Sequence, residues 1–263
     1  STLKTYARPV IGPMSVDAIA TEDIVKILSP IWTAKTETAK RLQGRIENVL
    51  DFAAAHNLRD PLNPARWRGH LDKLLPRPSR VSTVTHHPAM PYTDLPAFME
   101  ELRQNDSISS LALQFLILTA TRTSEVLLAE WIEINQATKV WTIPANRMKT
   151  QKEHRVPLTD ATITILGMLP RIDHNPFVFP GSRAGRPLSN MAMLQLMRGM
   201  GFGVNGSRGP FVPHGFRSSF RDWSGEVSSF PREVAEMALA HVVDNKVEAA
   251  YRRGDLFEKR TRM

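Results

Sequence analysis

Four short stretches of this 263-residue chain carry groups suited to work on a phosphate. TATRTSEVL places Arg122 where a strongly apolar run breaks, a position at which an unpaired charge is costly. RMKTQKEHRVPL places Lys149 in a turn between two strand-like segments. PHGFRSSFRDW sets His214 and Arg217 three apart, on one face of a helical turn. LAHVVDNKVEAAYRRGD puts His241 ten residues before Tyr251. Singly, each has an ordinary structural use: a surface charge, an exposed lysine, a capping pair, a core tyrosine with a wet tip. As a set they suggest more. Two guanidiniums offer planar forks of permanently charged donors to phosphate oxygens. A phenol, with a reference pKa of about 10, becomes a nucleophile near neutral pH when a base or positive charge stands beside it. Of the three tyrosines, Tyr6 lies near the terminus and Tyr92 in a proline-rich stretch, leaving Tyr251 beside the histidines and arginines.

The elements that must position these groups are mostly helices. Residues 21–30 read as a helix capped by Thr21, with acids in its first turn. Residues 36–56 form an amphipathic pattern in which Leu42, Ile46, Val49, Leu50 and Ala53 share a face. Lys40, Arg41 and Arg45 lie off that face, which taken alone reads as solvated. Residues 62–75 read as a helix started by Pro64. Residues 76–96 contain five prolines and little periodicity, and the linker is placed there at 81–90. Helices are expected over 93–102 and 109–120; TRTSE interrupts the second, which resumes over 124–131. WIEI, KVWTI and HRVPL predict a small three-stranded antiparallel sheet. Further helices are expected at about 160–169, 189–199, 215–226, 231–240 and 245–251. The chain is therefore mainly α with a small antiparallel β-sheet (α+β), without the strand–helix alternation of a doubly wound fold.

Composition narrows the partners. Hydrophobic residues at 42% and charged residues at 23% are ordinary for a globular protein. The net charge of +8 points to a polyanion, nucleic acid before an anionic membrane, or to a merely basic protein. Residues 81–144 run against it at net −4 and coincide with the most apolar part of the chain, as a core would. The absence of cysteine excludes thiolate catalysis, disulfides and cysteine zinc sites. No apolar run is long enough to span a bilayer, and no signal peptide is visible. GFGVNG matches a dinucleotide-binding pattern but follows a helical stretch and opens no helix. A phosphate-binding loop, HExxH and GxSxG are absent, and the eight histidines show no metal-like spacing.

In order, residue type and context the four stretches resemble those of the tyrosine site-specific recombinases, or phage integrases, in particular the integrases of prophages and genomic islands. HGFR, AHVVDNKVEAAY, NPARWRGHLD and PYTDLPAFM carry the likeness over essentially the whole chain. The resemblance implies a helical core-type DNA-binding domain over 1–80, a linker at 81–90 and a catalytic domain over 91–263, together clamping duplex DNA. It makes Arg122 and Arg217 the phosphate clamps, with Glu125 orienting the first. His214 belongs to the histidine–arginine box, and His241 donates a hydrogen bond to the phosphate. Lys149, with Lys152 as the neighbouring alternative, protonates the departing 5′-oxygen. Tyr251 is the nucleophile, its proton passing to His214 or another nearby base. The product is a 3′-phosphotyrosyl link that needs no ATP, cofactor or metal. Lys35, Arg41 and Arg45 are the expected phosphate contacts of the first domain. The implied partner is double-stranded DNA at attachment sites. The chain is expected to be a monomer without DNA and a homotetramer on it, helped by accessory bending or excision factors, in the bacterial cytoplasm at the nucleoid. The Ser1 start, with nothing resembling an arm-binding domain, suggests an N-terminally truncated fragment. Two other readings stay open: a type IB topoisomerase-like relaxase and a catalytically silent DNA-binding regulator.

Overall fold

A computed structural model describes residues 1–81, 88–241 and 254–263, and divides the chain into two compact units, Ser1–His86 and His87–Met263. The linker expected at 81–90 lies largely among residues 82–87, outside the described ones.

The first unit is helical. A π-turn over Leu3–Ala7 leads into α1 (Arg8–Ile11), followed by α2 (Thr21–Trp32), α3 (Thr36–Ala55) and the short α4 (Pro78–Val81). Ile24, Ile27, Leu28 and Ile31 of α2 meet Ala39, Leu42, Ile46 and Leu50 of α3, as their three- and four-residue spacing requires. Val49 is 54% exposed, because it falls at the edge of that stripe while Gln43 fills the opposite edge and donates to the Ala65 carbonyl at 2.6 Å. Thr21 does not cap α2. Asp23 accepts the Ala20 N–H at 3.0 Å, and the Thr21 hydroxyl lies 2.8 Å from His70 Nε2. Nor is there an α-helix over 62–75, where turns lead to one 3₁₀ turn, Leu71–Lys73. The Asn63 side chain accepts the Ala65 N–H at 2.9 Å and donates to the Glu47 carbonyl and to Asp51. Such side-chain bonds offer the backbone an alternative to the helix.

The second unit is built on α6 (Ile108–Thr119), which is apolar on nearly every side and packs against α5 (Leu95–Arg103), α8 (Asp160–Met168) and α9 (Ala192–Gly199). The sheet is antiparallel in the order β1 (Ile134–Asn135), β2 (Val140–Ile143), β3 (His154–Pro157), with Trp141 opposite Val156 and Ile143 opposite His154. Most of WIEI is a 3₁₀ turn, Trp131–Glu133, rather than strand. The helix resumed after TRTSE, α7, spans only Thr123–Leu127. Past it the backbone pairs with a distant segment, since the Ala129 carbonyl accepts from Val178 and Trp131 donates to Pro176. A 3₁₀ turn, Pro213–Gly215, opens α10 (Phe216–Glu226), and α11 (Arg232–Ala238) follows. The terminal α12 (Phe257–Arg262) packs on β3 of its own unit: Arg155 holds Asp255 through two bonds of 2.8 and 3.0 Å, and the buried Arg260 binds Asp255 and the Arg155 carbonyl. The helix expected at 245–251 falls outside the described residues. Among those described, no helix is long and apolar enough to cross a membrane.

Candidate active site

The apolar α6 ends at Ala120, which takes a left-handed conformation (φ 50°) and turns the chain sharply into Thr121 and Arg122. Glu125, buried at the third position of α7, does two jobs. One oxygen accepts the Arg122 backbone N–H at 2.8 Å, capping the helix, and the other pairs with the Arg122 guanidinium at 2.7 Å. TRTSE is thus a local device in which the arginine and the acid that orients it are set by one turn of backbone.

Arg217 is held differently. It is 6% exposed, and among the described residues no carboxylate bonds to it. Its guanidinium donates to the carbonyl of Ala120, to that of Leu239 at 2.6 Å, and to His241 Nε2 at 3.3 Å. Arg122 reaches the same place by donating to the Ala240 carbonyl at 3.3 Å. The acceptors, Ala120, Leu239 and Ala240, lie in the turns that immediately follow α6 and α11. Burial, with the neighbouring Arg122 adding to it and Glu125 opposing, brings Arg217 down to about 10, which leaves it protonated at neutral pH. A buried and a half-buried guanidinium therefore stand close together, compensated by main-chain carbonyls and, among the described residues, by the Glu125 carboxylate.

His241 completes this face. Its Nδ1 lies 2.6 Å from Glu236, and Glu236 also accepts from Arg221 of α10 at 2.5 Å. Burial alone would raise Glu236; its hydrogen bonds from His241 and Arg221 outweigh that and hold it below the usual carboxylate range. His214 is exposed and shares an open cleft of about 570 Å³ with Arg122, Ser124 and Asn190. The glycine after it is required by packing: a Cβ at Gly215 would overlap the Pro88 carbonyl, so the backbone at this turn must approach residues 88–89 closely.

Arg122 with Glu125 and Arg217 with His241 thus form two directly bonded pairs that meet at the adjacent carbonyls of Leu239 and Ala240, and His214 borders the same cleft as Arg122. Lys149 is exposed on the β2–β3 turn, and no described bond links its ammonium to the cluster. Lys152, its alternative, is exposed on the same turn. Tyr251 lies outside the described residues. Lys35, Arg41 and Arg45 belong to the other unit and are all exposed there: Lys35 Nζ donates to the Tyr6 hydroxyl at 3.4 Å, Arg41 pairs with Glu37 at 2.8 Å, and Arg45 donates to Thr2 at 2.6 Å.

Three neighbours of the site went unread in the sequence. Arg147 donates to the Glu125 carbonyl at 2.6 Å and pairs with the buried Glu133, tying the start of the lysine turn to α7. His154 sits in the inward row of β3. Burial, and after it Arg260, push its imidazole down to about 4, with Glu125 opposing. The third is Glu236. The only local signals were the arginine two residues before Lys149 and the acid five before His241. Among the described residues no group of His, Asp or Glu is placed to hold a metal ion.

Comparison with known proteins adds a lineage to this geometry. A sequence model described as Phage integrase family matches residues 89–256, and one described as Phage integrase central domain matches residues 1–70. Prophage integrase IntA of Escherichia coli (strain K12) is 32% identical over 260 residues, covering 97% of this chain and 60% of that protein. The chain spans about three fifths of the length of the curated relatives it matches. Among solved structures, a lambda integrase dimer bound to a COC′ core site superposes with a TM-score of 0.66 at 16% identity, covering 92% of this chain and 85% of that one. A lambda integrase tetramer bound to a Holliday junction gives 0.61 at 16% identity, over 88% and 66%. At these identities the likeness concerns the fold.

Proposed function

The chain belongs to the phage integrase family, and on that premise we propose that it is a site-specific recombinase. In this reading it cleaves and rejoins duplex DNA through a 3′-phosphotyrosyl intermediate on Tyr251, integrating or excising a prophage or genomic island. One observation carries the reading: Arg122 and Arg217, from distant parts of the chain, are aimed at one place by backbone carbonyls in the turns that follow α6 and α11. A guanidinium has five N–H donors. Described partners take two from Arg122, and three contacts from Arg217, so donors remain on each for the non-bridging oxygens of a phosphate.

The chemistry follows from where charge builds. As the Tyr251 oxygen bonds to phosphorus and the bond from phosphorus to the 5′-oxygen breaks, negative charge grows on the non-bridging oxygens. Fixed guanidiniums stabilise that state more than the ground state. The phenolic proton passes to a base such as His214, which borders the cleft, and Lys149 returns a proton to the leaving 5′-oxygen. His241 adds a hydrogen bond to the phosphate. The phosphoester is retained on tyrosine, so the reverse attack by a 5′-hydroxyl reseals the strand without ATP, and no step calls for a metal or cofactor.

In the first unit, Lys35, Arg41 and Arg45 would contact phosphates and hold the register without reading sequence. Lambda integrase is described as a dimer on its core site and a tetramer on a Holliday junction; the same assembly is proposed here, from a monomer without DNA and with accessory DNA-bending or excision factors. The working compartment would be the bacterial cytoplasm, at the nucleoid. A relaxase or an inactive regulator is not favoured, since the relatives are integrases and the arginine pair is intact.

The test is a suicide duplex carrying the flanks of the host element, nicked beside the scissile phosphate. Wild type should be trapped covalently and Tyr251→Phe should not. An undiminished adduct in the variant would remove Tyr251 from the mechanism.

A further inference from the structure

The end of α11 is a left-handed helix stop. Ala240 has φ 49°, its N–H returns to the Met237 carbonyl at 3.1 Å, and the His241 N–H returns to the Glu236 carbonyl at 3.0 Å. Residues placed like Glu236 and His241 in such a stop face one another, usually as an apolar pair. Here they are a carboxylate and an imidazole, 2.6 Å apart. Glu236 can only accept and the Arg217 guanidinium can only donate. With Nδ1 on Glu236 and Nε2 at 3.3 Å from Arg217, a neutral His241 satisfies both only with its proton on Nδ1.

We propose that Glu236 is a positioning residue for strand cleavage: it fixes the ring plane and tautomer of His241, and balances the second proton the ring must take up to donate from Nε2 to a phosphate oxygen. This rests on the recombinase reading above. The charged groups facing the pair are Arg217 and Arg221 of α10 and Arg232 of α11, whose guanidinium is 3.6 Å from Glu236. All are cationic, and the Glu236 carboxylate, 2.6 Å from Nδ1, directly offsets positive charge on the ring.

The test measures the single-turnover rate of covalent adduct on the nicked duplex at saturating protein, with duplex affinity measured separately. Glu236→Gln is expected to slow adduct formation about tenfold, by analogy with carboxylates behind metal-bound imidazoles, with affinity nearly unchanged. In a His241→Ala background the same substitution should cause no further slowing. Nitrogen NMR of the unliganded wild type should find the His241 proton on Nδ1, a readout that needs no variant to fold. Equal slowing in both backgrounds, an unchanged Glu236→Gln rate, or a proton on Nε2 would overturn the assignment. Absence of any wild-type adduct would instead strike the recombinase reading itself.

Discussion

In the unit Ser1–His86, Arg41 and Arg45 stand on the exposed side of α3, one turn apart, with neighbours no more binding than Glu37 and Thr2. In the unit His87–Met263, Arg217 is almost wholly buried and gripped by carbonyls from two helix ends, and Arg260 is sealed against β3. Both units are basic, yet their cations are held to different tolerances. An exposed ion pair contributes little and leaves the side chain mobile. A buried guanidinium keeps its charge only where acceptors surround it, and those acceptors then dictate its direction. The first arrangement suits a groping contact with a polyanion of variable detail. The second suits a single group that must meet a single phosphorus.

The contrast can be broken most forcefully at Arg217. Arg217→Ala should cut the rate of adduct formation on the order of a hundredfold or more, about 3 kcal/mol, by analogy with the loss of one oxyanion donor. Arg217→Lys should recover little, since an ammonium cannot reach three acceptors from one fork. A lysine variant with wild-type rate would mean that charge, not geometry, is what the helix ends supply.

A second test concerns the buried imidazole of His154. Its folded-state value of about 4 lies below the usual 6.5, so the unfolded chain takes up the proton first as pH falls. Stability is then whole above about 6.5 and is lost as pH drops toward about 4. Denaturant unfolding should show a loss on the order of 2 kcal/mol between about pH 7 and 5. His154→Gln should flatten that slope. A slope unaltered by the substitution would place the acid sensitivity elsewhere.

The smallest effect is expected in the first unit. Arg41→Ala should leave thermal stability within about 0.5 kcal/mol and leave the rate at saturating protein untouched. It should weaken duplex affinity and reduce the salt slope by about one. Salt titrations of binding provide the check, and a rate defect at saturation would erase the distinction between the units.

What the sequence discloses follows the same line. The α2–α3 pairing was legible because apolar spacing is written in residue types. Arg122 with Glu125 was legible because both members of that ion pair lie within one turn. The grip on Arg217 was not, because main-chain carbonyls of Ala120 and Leu239 carry no residue-type signature. Glu236 escaped for a related reason: its partner is reached only through a left-handed stop at an alanine, a residue that does not advertise one. The false helix at 62–75 came from weighing Pro64 as a start signal, while Asn63, its neighbour, was already engaged with α3.

Ala120 and Ala240, whose carbonyls receive the two arginines, are both wrung into a mirror-image bend that an alanine adopts at a cost of about 1 kcal/mol. The expense is met when the chain folds, long before any duplex arrives. In the proposed reaction, incoming DNA would find guanidiniums that need no re-aiming, and the energy of docking would stay available for the reacting phosphate instead of being consumed in organising its receptor.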